Sequence, residues 1–78
     1  MKQQEQMMDK IEWLESMHTL HGAVEILYVV SGYQIQRTFD DDEVGEPIEA
    51  PTLAEAIEIA MAAGWKPLTM NNINEEWK

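Results

Sequence analysis

Cysteine is absent from the 78-residue chain, which excludes a disulfide frame, a thiolate metal site and a cysteine nucleophile and gives no sign of an oxidising compartment. Positive charge is scarce: 5 Lys and Arg stand against 15 Asp and Glu, for a formal net charge of −10. Such a surface repels nucleic-acid phosphate and anionic lipid, so neither is expected as a direct partner. The few glycines, Gly22, Gly32, Gly45 and Gly64, are scattered, and a phosphate-cradling loop needs them clustered. No uninterrupted apolar run approaches the ~20 residues needed to cross a bilayer. Met1 is followed by Lys2-Gln3-Gln4-Glu5-Gln6, without the apolar core of a signal peptide. The length allows one domain, residues 1–78, burying roughly 60 to 65% of the surface its unfolded chain exposes. The expectation is a soluble, acidic mini-domain of the cytoplasmic type.

What is present is strongly patterned. Met7, Ile11, Leu14 and His18 fall at helical spacing, with Trp13, Met17 and Leu20 widening the face, which predicts a helix over residues 3–20 ending at Gly22. From Ala23 the period changes. Val24, Ile26, Tyr28 and Val30 alternate with Glu25, Leu27 and Val29, the composition of a mostly buried strand. Ser31-Gly32 reads as a two-residue turn, and Tyr33, Ile35, Arg37 and Phe39 then alternate with Gln34, Gln36 and Thr38, completing a β-hairpin with one apolar and one polar face on its second strand. Asp40 to Pro47 holds five acids, a Gly and a Pro and reads as a loop, after which Ile48-Glu49-Ala50 adds a short edge strand. Thr52-Leu53-Ala54-Glu55 has capping-box spacing; Leu53, Ala56, Ile57 and Ala60 make the apolar stripe of a second helix, and Gly64 stops it. Trp65 to Met70 predicts a final strand confined by Pro67 to an edge or bulge. The tail, residues 71–78, has only Ile73 and Trp77 as anchors, and its order rests on whether Trp77 packs. The fold class expected is α+β, a small and mainly antiparallel sheet with two helices on one face, in the order helix, strand, strand, short strand, helix, strand. Trp13 and Tyr28 fit the core pattern, while Tyr33, Phe39, Trp65 and Trp77 sit at element ends where they are half exposed.

Several arrangements could carry chemistry, and each meets an obstacle. A calcium loop beginning at Asp40 would accept Asp42 at its third position, but Val44 takes the fifth and Pro51 the twelfth. Glu15, His18 and His21 recur every three residues and could share a helical face as in di-metal bundles, which require four facing helices. The blander reading is a histidine pair closing the first helix. No turn motif presents Ser16, Ser31 or any threonine beside a histidine; Ser31 reads as a turn residue and Thr52 as a helix cap. An enzyme, a metal and a cofactor are therefore not expected.

The acids cluster. Between Phe39 and Trp65 lie Asp40, Asp41, Asp42, Glu43, Glu46, Glu49, Glu55 and Glu58 with no Lys or Arg among them. Carboxylates along a loop and helix can occupy a Lys- and Arg-lined groove built for phosphates, and their field speeds encounter at low salt. The stretch from Tyr33 to Gly64, a hairpin strand, an acidic segment and Glu49-Ala50-Pro51-Thr52-Leu53-Ala54-Glu55-Ala56 opening a helix, resembles small acidic phage-encoded proteins, anti-CRISPR proteins among them. The resemblance implies a class and carries over no individual residue: a compact inhibitor that binds a host defence complex, such as a CRISPR effector, in the bacterial cytoplasm, often at its nucleic-acid-binding surface.

Three functions stand open at this point. An inhibitor would meet the basic surface of a protein or nucleoprotein complex through those eight acids. A structural or accessory protein would form a homodimer through its amphipathic first helix, with the acids serving solubility. A metal-dependent or hydrolytic enzyme would bind metal at micromolar levels.

Overall fold

The computed structural model describes the backbone of residues 2–76 and the side chains of residues 9–76. Met7, counted above on the face of the first helix, and Trp77, counted as an anchor of the tail, lie outside the described side chains. The elements in chain order are α1 (Lys2–Ser16), β1 (Gly22–Val29), β2 (Gly32–Phe39), β3 (Asp42–Ala50), α2 (Leu53–Ala62) and α3 (Ile73–Glu76). The three strands form one antiparallel meander in the order β1-β2-β3. The fold is α+β, with α2 laid over β2 and β3 and α1 laid against α2.

The core lies between α2 and the sheet. Ala56 and Ala60 of α2 are small enough to bring its backbone down onto Ile35 of β2 and Ala50 of β3, and Trp13, Val24, Ile48, Leu53 and Trp65 close around them. A second cluster joins Phe39, Val44 and Leu68, with Ile73 of α3 against it. Helix α2 begins and ends on local signals: Thr52 Oγ1 accepts the Glu55 amide at 3.2 Å, satisfying a donor with no partner inside the helix. At the other end Gly64, at φ 81°, lets its own amide reach Met61 O and the Trp65 amide reach Ala60 O, a Schellman closure.

The first helix ends at Ser16, four residues short of the Leu20 expected from its periodicity. Ser16 Oγ donates to Trp13 O at 2.6 Å, the Met17 amide is shared between Trp13 O and Leu14 O, and the chain then turns to bury Met17. Gly22 does not stop this helix; it opens β1, where a Cβ would lie 2.6 Å from Leu68 O. Thr19 holds that approach, its hydroxyl accepting the Gly22 amide at 2.7 Å and donating to Leu68 O at 2.6 Å.

The hairpin turn is Val30-Ser31, one residue earlier than expected, since Val29 pairs with Gly32. The acidic segment expected as a loop is instead a tight turn followed by a strand. Asp40 and Asp41 carry φ of 50° and 71°, the two positive values of a type I′ hairpin turn, and β3 runs nine residues from Asp42. Acid crowding is tolerable there because β3 is an edge, where side chains reach water. Pro47 is accommodated because the register slips between Ile35 and Arg37 of β2, so that Gly45, Glu46 and Pro47 stand opposite Gln36 alone. Gln36 Nε2 lies within hydrogen-bond distance of Arg37 O, Val44 O and Gly45 O, satisfying carbonyls near the bulge and leaving Gln36 itself buried.

Trp65 to Met70 forms no strand. It is a loop fastened by buried Leu68 and by Asn72, which donates to Pro67 O and accepts the Thr69 amide, each at 2.8 Å. Residues 73–76 form the helical turn α3. Its Glu76 accepts from Arg37 Nη1 at 2.9 Å. Arg37 is buried, its guanidinium 4.9 Å from the centre of the Trp65 ring. Phe39, expected half exposed, is buried; Tyr28, expected in the core, is 83% exposed.

Candidate functional site

All eight acids singled out from the sequence have exposed side chains. Asp40 and Asp41 form the tip of the β2–β3 hairpin, and Asp42, Glu43, Glu46 and Glu49 continue along β3. Glu43 pairs with Thr38 and Glu49 with Gln34, so both belong to the sheet face that α2 leaves uncovered. Glu46 sits in the bulge. Glu55 and Glu58 ride on α2, on the other side of the sheet. The structure therefore strings six acids along the turn and the β3 edge, Glu43 and Glu49 on the uncovered face and Asp42, which pairs with Phe39, on the other, and sets the two helix acids apart on α2. Glu25 of β1 pairs with Gln36 and so joins Glu43 and Glu49 on the uncovered face; alternation along β1 was the signal that could have placed it there.

Two of the eight have partners of their own. His21 Nδ1 donates to Asp40 Oδ1 at 2.8 Å, and Lys10 Nζ lies 3.3 Å from Glu58 Oε1. Both carboxylates stay more than half exposed, which limits what either pair adds to stability and leaves both accessible. Among the described side chains Lys66 is the only exposed Lys or Arg, because Lys10 and Arg37 are buried. The exposed charge of the turn and β3 is thus all of one sign, while the cation next to it, Arg37, which pairs with Val44, is buried.

The histidines do not share a helical face with Glu15. Helix α1 has ended before either of them, His21 has swung to Asp40 with its ring 5.5 Å from that of Phe39, and His18 remains beside Glu15 at the mouth of a groove. Among the described residues no three His, Asp or Glu side chains gather as a metal site, and no helix is long and apolar enough to cross a membrane. Ser31 lies in the β1–β2 turn.

That groove is a second surface. Ile11, Leu14, Glu15 and His18 from α1 and its C-terminal turn face Val24 and Ile26 of β1 across a space of about 240 Å³. It exists because α2 covers β2 and β3 while α1 packs on α2, so nothing fills the corner above β1. The expectation that β1 is mostly buried fails for the same reason: Ile26 and Leu27 are 44% and 42% exposed, and the strand is an edge. Comparison of the chain with protein-family models, with curated proteins and with solved structures returned no match.

Proposed function

We propose that this protein is a small acidic inhibitor that binds the basic surface of a protein or nucleoprotein complex in the bacterial cytoplasm, in the manner of an anti-CRISPR protein. The observation that supports this reading most directly is the ridge from Asp40 to Glu49: six exposed acids on a turn and edge strand. Their field steers encounter with a cationic groove and fixes orientation on it. The hairpin supplies what a loop would lack, since the backbone of a tight turn and paired strand loses little freedom on docking. Glu55 and Glu58 on α2 extend the contact if the partner wraps the β3 edge.

The test is capture of partners from bacterial lysate at low salt and again at about 500 mM, where the Debye length falls to roughly 4 Å. A nucleic-acid-binding complex retained only at low salt is the expected result. Glu43→Lys with Glu49→Lys is the matched variant, since Asp41 at φ 71° would strain a lysine. It should weaken capture at least tenfold without altering the melting temperature, and equal capture by the variant would defeat the reading. A second reading, a self-associating accessory protein, is favoured by the bare edge of β1, and capture of nothing at either salt would bring it forward.

A further inference from the structure

We infer that two copies of this chain associate through β1, edge to edge and antiparallel, with Ile26 on the two-fold axis and each Tyr28 entering the groove of the other copy. The hydrogen-bonding direction of β1 is fixed by one observed contact. The Asp40 amide donates to His21 O at 2.8 Å, and this pair continues the β1–β2 register, so His21 and every second residue after it bond to β2. Val24, Ile26 and Tyr28 therefore direct their N–H and C=O groups away from the sheet. Gly22 would do the same, but Thr19 occupies both of its groups: the Thr19 amide donates to Gly22 O and the Thr19 hydroxyl accepts the Gly22 amide. What remains is a run of three outward residues centred on Ile26.

A two-fold at Ile26 pairs Val24 with the partner's Tyr28 and Ile26 with its twin, so each outward residue meets another. A two-fold at Glu25 would set like charges opposite each other, which opposes pairing. A two-fold at Leu27 would spend Val24 on Val30, which lies in the turn. The Ile26 register also brings together a knob and a hole that one chain holds apart. Tyr28 is 83% exposed, resting edge-on against Tyr33 with ring centres 5.0 Å apart. Opposite Val24 and on the helix side of the sheet, its ring would enter the partner's groove of about 240 Å³ lined by Ile11, Leu14, Val24 and Ile26, where Glu15 and His18 at the rim offer its hydroxyl a partner. Bare edge, exposed aromatic and apolar groove are then all accounted for by one symmetric contact.

Charge placement selects a second copy in spite of a net charge of −10 per chain. The acidic ridge follows β3, two strands away across β2, and β1 contains one acid, Glu25. Joined at β1, the two sheets become one of six strands with the acidic edges at opposite ends, as far apart as the sheet allows. This dimer is independent of whether the acids have a partner.

The test is sedimentation equilibrium of the full chain over a range reaching about 100 μM, near and above typical weak dimer constants. Twice the mass of 9.0 kDa is expected for the wild type. Ile26→Lys should sediment as a monomer, and Tyr28→Ala should weaken the dimer at least tenfold; because Tyr28 is so exposed, that variant carries the test if Ile26→Lys does not fold. The register is read separately by mixing Glu25→Cys with Leu27→Cys in this otherwise cysteine-free chain, where the mixed disulfide should outgrow either homodimer. A wild type monomeric throughout overturns the proposal. So does a dimer indifferent to both substitutions, or preferential pairing of Glu25→Cys with itself.

Discussion

The two edges of this sheet share a central strand and differ in almost everything else. The β3 edge carries Asp42, Glu43, Glu46 and Glu49, a proline and a bulge. The β1 edge is Gly-Ala-Val-Glu-Ile-Leu-Tyr-Val, straight and with one charge. Charges, proline and bulges are the devices by which sheet edges are kept from adding strands; β3 has all three, and β1 has only the single charge of Glu25. The acids on β3 close that edge to strand addition, and under the proposed function the same groups would present a field to a cationic partner, two purposes that need not compete. A sheet closed at one edge only leaves the other for self-association, and β1 carries a single acid, Glu25. The difference also shows how a chain of −10 could be at once repulsive and self-complementary, by sorting its charge across a sheet three strands wide.

The largest effect is expected where the two edges meet a common partner. Ile35 is fully buried and pairs with Ile26 on one side and Ile48 on the other. Ile35→Ala should cost about 3 kcal/mol and lower the melting temperature by roughly 15 °C, since it opens a cavity under α2. Both edges should loosen together, with hydrogen exchange rising equally in β1 and β3; loss confined to one strand would show that the edges are held independently. Gln36 should separate them. Gln36→Leu removes the carboxamide that serves Val44 O and Gly45 O, at a cost of about 1 to 2 kcal/mol for carbonyls left without that donor. Exchange should rise in β3 from Val44 to Glu46, Pro47 having no amide hydrogen, and stay unchanged in β1. A variant as stable as the wild type would mean that water replaces the side chain and that the bulge holds itself.

Which of these features the sequence discloses follows from the distance over which each is determined. Whereas the polar face expected of β2 is buried at Gln36 and Thr38, the Thr52 cap and the Gly64 stop depend on residues within a turn of one another, and each stands in the structure where its spacing placed it. The bulge does not, because Gly45-Glu46-Pro47 is rendered harmless by Gln36 on another strand, a compensation invisible from the acidic segment alone. Burial of β1 failed as an expectation for a related reason. An apolar strand is buried only if something lies over it, and the alanines of α2 settle that helix above β2 and β3 instead. Arg37 shows the reverse case: a cation at an apolar position of β2, acceptable because Trp65 and Glu76 arrive from later in the chain. The candidate acids were legible as a count and as exposed groups, whereas their division between a β3 ridge and the back of α2 required the sheet register.

The smallest effect, and the sharpest test of what shapes the acidic edge, is expected at Asp41. With φ 71° it occupies the second central position of a type I′ turn, where glycine is favoured because a Cβ crowds the backbone. Left-handed backbone costs an L-residue about 1 to 2 kcal/mol, less for aspartate, and glycine returns some of the gain through the greater freedom of its unfolded chain. Asp41→Gly should therefore stabilise by only about 0.5 kcal/mol, a rise of roughly 3 °C in melting temperature. Asp41→Ala removes the same charge but keeps the Cβ, and should destabilise by up to about 1 kcal/mol, because alanine lacks the short polar group that makes aspartate tolerable in this conformation. Opposite signs for the two would show that the backbone sets the turn. If both raise the melting temperature alike, repulsion among Asp40, Asp41 and Asp42 is the stronger force, and the ridge is held against its own charge by β2 and Gln36.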